Sequence, residues 1–206
     1  MSVTPLVLPE GNFRAFLFDL DGTLADSMPL HFVVWTKAVT EAGGQFPEDL
    51  FYALGGVPPL RIVELLNEKY GTAMSPEDVV ARKEALYLDM LDQVQPTLSV
   101  LAHVHAERGR LKLAVVSGSP RHSIERTLAA LGITDAFETI VGAEDYTHGK
   151  PDPEPFLTAA ARLNVAPADC LVFEDAEAGI ASAKAAGMSW VRVPQQYVAV
   201  AATPTA

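Results

Sequence analysis

Apolar residues in this chain gather in short runs separated by amphipathic stretches. Four runs stand out, at 15–18, 113–116, 139–141 and 171–173, with a weaker fifth at 190–193. Near-continuous apolar runs of this length predict strands buried on both faces, as in parallel sheets. Between the later runs, apolar positions recur at helical spacing over 119–131, 153–163 and 176–186. Gly132 and Gly187 stand just past two of these helices, where C-terminal caps belong. Strand and helix in alternation predict an α/β fold, a doubly wound parallel sheet.

The stretch after the first strand breaks that alternation. Residues 29–95 contain no convincing strand but three helical patterns, at 31–42, 60–70 and 76–91. Ser75-Pro76-Glu77-Asp78 supplies an N-cap, a first-turn proline and acidic residues for the last of them. The expected organisation is an α/β core of residues 1–28 and 96–206, with a helical cap of residues 29–95 inserted after the first strand. The tail after Pro194, rich in Ala, Thr and Val, reads as a loose terminus. No internal repeat is visible.

Composition narrows the partners. With 206 residues, 49% of them hydrophobic, the chain can bury one substantial core or a core with a small insertion. A net charge of -11 argues against nucleic-acid binding, yet leaves room for a small anionic substrate where a metal and a few cations dominate a pocket. The one cysteine, Cys170, lies in an apolar run and reads as a buried strand residue. No basic-then-apolar leader and no run of about 18 apolar residues is present, so a soluble cytoplasmic protein, bound to no membrane, is expected. A monomer or weak homodimer is the expected state.

Chemistry-bearing residues follow four of the strands. The first ends in Phe18-Asp19-Leu20-Asp21-Gly22-Thr23. Two carboxylates there can divide labour, one attacking or binding metal and the other moving protons, although an acidic Asp-Gly turn would look the same. The second ends in Ser117-Gly118-Ser119-Pro120, where a hydroxyl and main-chain N–H groups meet a helix start: an anion site or a plain Ser N-cap. Lys150, held between Gly149 and Pro151, is placed to neutralise a phosphoryl group or is an ordinary solvated lysine. Glu174-Asp175 closes the fourth strand and suits either a hard cation such as magnesium or an acidic helix N-terminus. Ligands of open α/β sheets bind beyond the carboxyl ends of the strands, so all four signals converge on one edge. Acid pair, hydroxyl, lysine and acid pair together are what magnesium-assisted phosphoryl transfer through a carboxylate requires.

In that order and spacing the four motifs resemble those of the haloacid-dehalogenase-like superfamily, over roughly residues 13–193. The helical insertion resembles the cap of its β-phosphoglucomutase-like subgroup, as do 19–35 and the stretch Phe173-Glu-Asp-Ala-Glu-Ala-Gly179. Within it, the chain is most similar to small sugar phosphatases of the fructose-1-phosphatase type. The resemblance implies that Asp19 attacks phosphorus and becomes an aspartyl phosphate. It implies that Asp21 protonates the leaving alcohol and then deprotonates water, and that Ser117 and Lys150, with Gly118 and Ser119, hold the phosphoryl oxygens. Asp19, Asp21 through its carbonyl, Glu174 and Asp175 would surround Mg2+. An aspartate at 21 implies phosphate esters as substrates, since the family's dehalogenases and phosphonatases lack it.

The cap is harder to read. Arg61, after the 55–60 loop, either grips a remote anion of the substrate or is a helix-surface arginine. His31 either reaches Asp21 across the junction or is a packing histidine, and Trp35 reads as packing. The expected function is hydrolysis of a small phosphorylated metabolite, a sugar phosphate. A sugar-phosphate mutase is the alternative. Mutases of the subgroup carry a cap-loop arginine where this chain has Pro59, and a lysine after the motif-two serine pair where it has Pro120-Arg121. A regulatory binding protein on an inactive scaffold is the third reading, against which the complete acid, base, lysine and metal set weighs.

Overall fold

A computed structural model of the chain describes residues 6–194 other than Gly56. The expected loose tail after Pro194 lies outside the described residues. The elements are β1 (Ala15–Phe18), β2 (Ala25–Asp26), α1 (Met28–Glu41), α2 (Glu48–Ala53), α3 (Pro59–Tyr70), α4 (Pro76–Asp89), β3 (Gln95–Pro96), α5 (Leu98–Glu107), β4 (Lys112–Val116), α6 (Arg121–Ala130), β5 (Thr139–Val141), α7 (Glu154–Leu163), β6 (Cys170–Glu174), α8 (Glu177–Ala185) and β7 (Ser189–Arg192).

Five strands form one sheet in the order β5-β4-β1-β6-β7, and every neighbouring pair is parallel. This is the expected doubly wound α/β sheet. β1 lies at its centre, with Phe18 level with Val115 of β4 and with Phe173 of β6. The apolar runs have no polar alternation because both faces are covered. Phe16 and Phe18 face a cluster with Val100, Val104, Ile124 and Leu128 of α5 and α6, while Ala15 and Leu17 face one with Phe156, Ala159 and Ala183 of α7 and α8. Phe18 stacks on Phe173 with ring centroids 4.5 Å apart. Cys170 is fully buried in β6, and burial pushes its thiol up to about 11, the environment of an inert structural residue.

The segment between β2 and β3 carries α1 to α4, with α1 and α3 each packed on α4. Trp35 of α1 packs edge-on against Phe46, 5.8 Å between centroids, as its packing reading anticipates. Ser75 caps α4, its hydroxyl accepting from the Asp78 N–H at 3.3 Å. β2 and β3 pair antiparallel, Ala25 with Pro96 and Asp26 with Gln95, so the chain leaves and re-enters the sheet region side by side. The first apolar cluster runs from Phe16 and Phe18 into Leu30, Val34, Leu86 and Tyr87 of α1 and α4.

Three differences from the sequence reading bear on the site. Helix α6 begins at Arg121 rather than Ser119, and Ser119 uses its hydroxyl elsewhere. α2 has six residues, too short for an apolar period to show. α5 buries only Val100 and Val104, and Leu98 on its exposed side blurs the pattern.

Candidate active site

The carboxyl ends of β1, β4 and β6 lie side by side, and the residue after each carries chemistry. Asp19 follows β1, with its N–H bonded to the Phe173 carbonyl at 3.0 Å, which fixes it beside Glu174. The chain then turns sharply: Gly22 takes φ +86°, its N–H meets the Ala25 carbonyl at 2.8 Å, and Ala25 N–H returns to the Leu20 carbonyl at 2.9 Å. The turn sends the Asp19 and Asp21 carboxylates into different surroundings.

Asp19 is buried among charges. Lys150 Nζ donates to its Oδ1 at 2.6 Å and to the Val116 carbonyl at 3.1 Å, and lies 3.6 Å from Glu174 Oε2. Asp19, Glu174 and Asp175 are all buried, and each offers an oxygen within 4.8 Å of the others. Burial, opposed by Lys150 and reinforced by Asp175, pushes the Asp19 carboxyl up to about 7. Burial and the Asp19 charge likewise hold Glu174 well above the usual carboxylate range. Burial works against the Lys150 ammonium, but Asp19 and Glu174 outweigh it and hold its pKa above the ordinary lysine value.

Lys150 pairs with two of the three carboxylates, Asp19 and Glu174, and the buried Glu174 Oε2 has no hydrogen bond. Two glycines make the crowding possible: a Cβ on Gly22 would collide with the Asp175 carboxylate, and one on Gly179 with that of Glu174. Thr23 Oγ1 donates to Asp175 Oδ1 at 3.2 Å. The acidic excess and the orphaned oxygen fit a divalent cation with oxygen ligands.

Asp21 is held quite differently. Its Oδ1 accepts from Ser27 Oγ at 2.7 Å and lies 2.9 Å from His31 Nε2, and its Oδ2 accepts from Ser119 Oγ at 3.0 Å. Burial would raise this carboxyl, but His31, Ser27 and Lys83 outweigh burial and hold it below the usual carboxylate range. His31 therefore does reach Asp21, and it stacks on Tyr87 with centroids 4.3 Å apart. The Asp21 side chain lies outside the three-carboxylate group.

Ser117 is buried directly after β4, its N–H on the Val141 carbonyl at 3.0 Å and its hydroxyl accepting from Ser119 N–H at 3.1 Å. The structure thus brings Asp19, Asp21, Ser117, Ser119, Lys150, Glu174, Asp175 and His31 into one hydrogen-bonded or ion-paired neighbourhood, with Gly118 between the two serines. Arg61 is exposed, and its guanidinium bonds Glu64 and Glu68 of its own helix, both at 2.9 Å.

Several contributors escape the sequence reading. Ser27 and Thr23 are ordinary turn residues until the fold sets them on Asp21 and Asp175. Tyr146 donates its hydroxyl to the Ser117 carbonyl at 3.2 Å. Lys83 of α4 is buried, with Nζ 3.3 Å from Glu84 and lying over the rings of Trp35 and Tyr87. Its sequence signal was a lysine in register with Val79, Leu86 and Tyr87, the buried stripe of α4.

Comparison with known proteins agrees with this geometry. The family model for haloacid dehalogenase-like hydrolases matches residues 13–187. The fructose-1-phosphate phosphatase YqaB of Escherichia coli strain K12 is 37% identical over 182 residues, covering 88% of this chain and 96% of that protein. The β-phosphoglucomutase of Bacillus subtilis strain 168 is 33% identical over 190 residues, 88% of this chain and 84% of that one. The crystal structure of β-phosphoglucomutase from Clostridium difficile superimposes with a TM-score of 0.75 at 30% identity, covering 88% of this chain and 85% of that one. With a parallel sheet whose central strand is followed by Asp19-Leu20-Asp21 and a family match over most of its length, the chain belongs to the haloacid dehalogenase-like hydrolases.

Proposed function

We propose that this hydrolase is a magnesium-dependent phosphatase that releases phosphate from a small phosphorylated metabolite, a sugar phosphate, through an aspartyl phosphate on Asp19. One observation carries the reading. Asp19 and Asp21, two residues apart, face separate environments: one among Lys150, Glu174 and Asp175, suited to phosphoryl and metal charge, the other in a hydrogen-bonded set of Ser27, His31 and Ser119 away from it.

The chemistry follows from those environments. Lys150 and Ser117 hold the phosphoryl oxygens. An Asp19 oxygen attacks phosphorus, the bond from phosphorus to the ester oxygen breaks, and Asp21 delivers a proton to the departing alcohol. Water then attacks the phosphoaspartate, Asp21 takes its proton, and the Asp19–phosphorus bond breaks to give inorganic phosphate. Asp19, Glu174, Asp175 and the Asp21 carbonyl would hold Mg2+, which supplies charge neutralisation for the phosphoryl group. Burial, reinforced by Asp175 and opposed by Lys150, raises the Asp19 pKa, so a cation beside it would also help to keep the nucleophile ionised.

The resemblance to both a phosphatase and a mutase leaves two outcomes for the phosphoaspartate. A mutase must also grip a second phosphate. Here the two arginines nearest the relevant loops are otherwise committed: Arg61 to Glu64 and Glu68, and Arg121 to Asp145 and the Ile140 carbonyl. That commitment favours hydrolysis. The test is a panel of sugar phosphates with Mg2+, following free phosphate. Asp19→Asn should abolish turnover. Asp21→Asn should cost ~10²–10⁴ on sugar phosphates but less on p-nitrophenyl phosphate, whose leaving group needs little protonation. Glucose 6-phosphate forming from β-glucose 1-phosphate faster than phosphate is released would replace the reading with a mutase.

A further inference from the structure

Two loops must meet the same phosphoryl group for the proposed reaction, one carrying Ser117 after β4 and the other carrying Lys150 after β5. The two are fastened at successive carbonyls. Lys150 Nζ donates to the Val116 carbonyl at 3.1 Å, and Tyr146 Oη donates to the Ser117 carbonyl at 3.2 Å. Both donors come from the same loop, four positions apart in sequence.

Tyr146 is itself rigidly based. The short turn before it, Ala143–Asp145, is pinned by Asp145, which accepts from Arg121, from Arg162 at 2.6 Å and from the Gly142 N–H at 2.8 Å. The Ala143 N–H also bonds the Ser119 carbonyl at 3.0 Å. After Tyr146, Glu154 accepts from the N–H groups of Thr147 and His148 at 2.9 and 2.8 Å. Anchors on both sides leave the side chain one direction. Its ring passes Gly149, where a Cβ would sit 3.5 Å away, and its hydroxyl ends 4.0 Å from where a Cβ on Gly118 would be.

Resting on the phosphatase reading above, we propose that Tyr146 is a positioning residue that sets the spacing of the two phosphoryl-holding loops. Lys150 has Asp19 and an incoming phosphoryl group to serve as well as the Val116 carbonyl. Among the described residues, the Tyr146 hydroxyl hydrogen-bonds one acceptor, the Ser117 carbonyl. That hydroxyl keeps the Ser117 loop in place whichever partner the lysine takes. Removing that hydroxyl leaves a partly buried carbonyl beside a ring edge, and the loops can part by a few tenths of an ångström. Phosphate held from both sides loses affinity, while proton transfer at Asp21 and the acidic group at Asp19 are untouched.

The experiment binds inorganic phosphate to the Mg2+-loaded protein by titration calorimetry, comparing wild type, Tyr146→Phe and Tyr146→Leu. One lost hydrogen bond of ordinary strength corresponds to about three- to tenfold. Both variants should weaken phosphate binding by that factor, with Mg2+ affinity and Tm unchanged. In turnover the loss should appear in KM, with kcat within about twofold. Phosphate binding by Tyr146→Phe within twofold of wild type overturns the proposal, as does weakening confined to Tyr146→Leu, which would assign the effect to ring packing. A parallel loss of Mg2+ affinity or of Tm overturns it too, because the damage then extends beyond the two loops. Wild-type protein that binds no phosphate is a distinct outcome: it sinks the phosphatase reading and this inference with it.

Discussion

Asp19 and Asp21 are one residue type in two electrostatic settings. Burial and the neighbouring Asp175 carry the Asp19 carboxyl up to about 7, whereas three hydrogen-bond donors and Lys83 hold Asp21 ionised. The contrast sets a test in metal-free protein. A folded pKa near 7, against 3.8 for an ordinary aspartate, means that the folded state keeps a proton that the unfolded chain has already lost. The associated stability is fully present below about pH 4 and is lost as pH rises through 7. Glu174 shifts in the same direction. Mg2+ favours the ionised carboxylates, so it should raise Tm more at pH 8 than at pH 5.5 in scanning fluorimetry with and without EDTA. Equal shifts at both pH values would place the metal elsewhere. The positions of Asp19, Asp21, Ser117, Lys150, Glu174 and Asp175 were legible in the sequence because each lies within three residues of the end of an apolar run or, for Lys150, stands in a constrained Gly-Lys-Pro step. Their partners were not: Thr23 meets Asp175 from 152 residues away, and only the parallel register of β1 with β6 brings them together.

At the level of elements, the strongest periods read best. α3, α4, α7 and α8 begin within a residue of their expected starts, and all five sheet strands do so as well. α2, α5 and the two-residue β2–β3 ribbon carried no usable period. Lys83 belongs to this scale, since its meaning comes from the helix face that it shares. A lysine on the buried stripe of α4 lays its stem along apolar neighbours and brings its charge to the Asp21 side of the site. In the proposed mechanism the leaving group of the substrate departs on that side, where Asp21 would protonate it. Lys83→Met keeps the packed stem and removes the charge. It should raise KM for sugar phosphates by about tenfold or more, the worth of a charged hydrogen bond, with Tm little changed. Arg61→Ala should leave KM within about twofold, because an exposed arginine paired with its own helix contributes little. The reverse ranking of the two variants would restore Arg61 as the cation that reads the substrate.

For the molecule as a whole, the question is how substrate enters a site roofed by its own helices. The described chain joins the helical segment to the sheet at two crossings, and these pair as the β2–β3 ribbon. Away from the ribbon, the Ser123 hydroxyl of α6 donates to Glu84 of α4 and the Tyr87 hydroxyl hydrogen-bonds Thr127 at 3.1 Å, beside the apolar cluster that Leu86 and Leu91 share with Ile124 and Leu128. A ribbon of two residue pairs is a narrow axis, and opening about it parts two side-chain bonds and a limited apolar contact, the scale of a local rather than a global opening. The helical segment is therefore expected to work as a lid, opening at the α4–α6 contact and turning about 25–26 and 95–96. Opening would also withdraw His31 and Lys83 from Asp21, freeing that carboxyl to take up the proton it must deliver. The check uses Glu84→Cys with Ser123→Cys, joined by a short, reducible thiol cross-linker. The native Cys170 is buried in β6 and should not compete. Cross-linking should lower turnover of a sugar phosphate at least ~tenfold, since entry and product release need the open state. Reduction should restore it, and each single variant treated alike should stay active. Full turnover in the cross-linked protein would mean that substrate reaches Asp19 by another route, and that the contact between α4 and α6 is a fixed part of the fold.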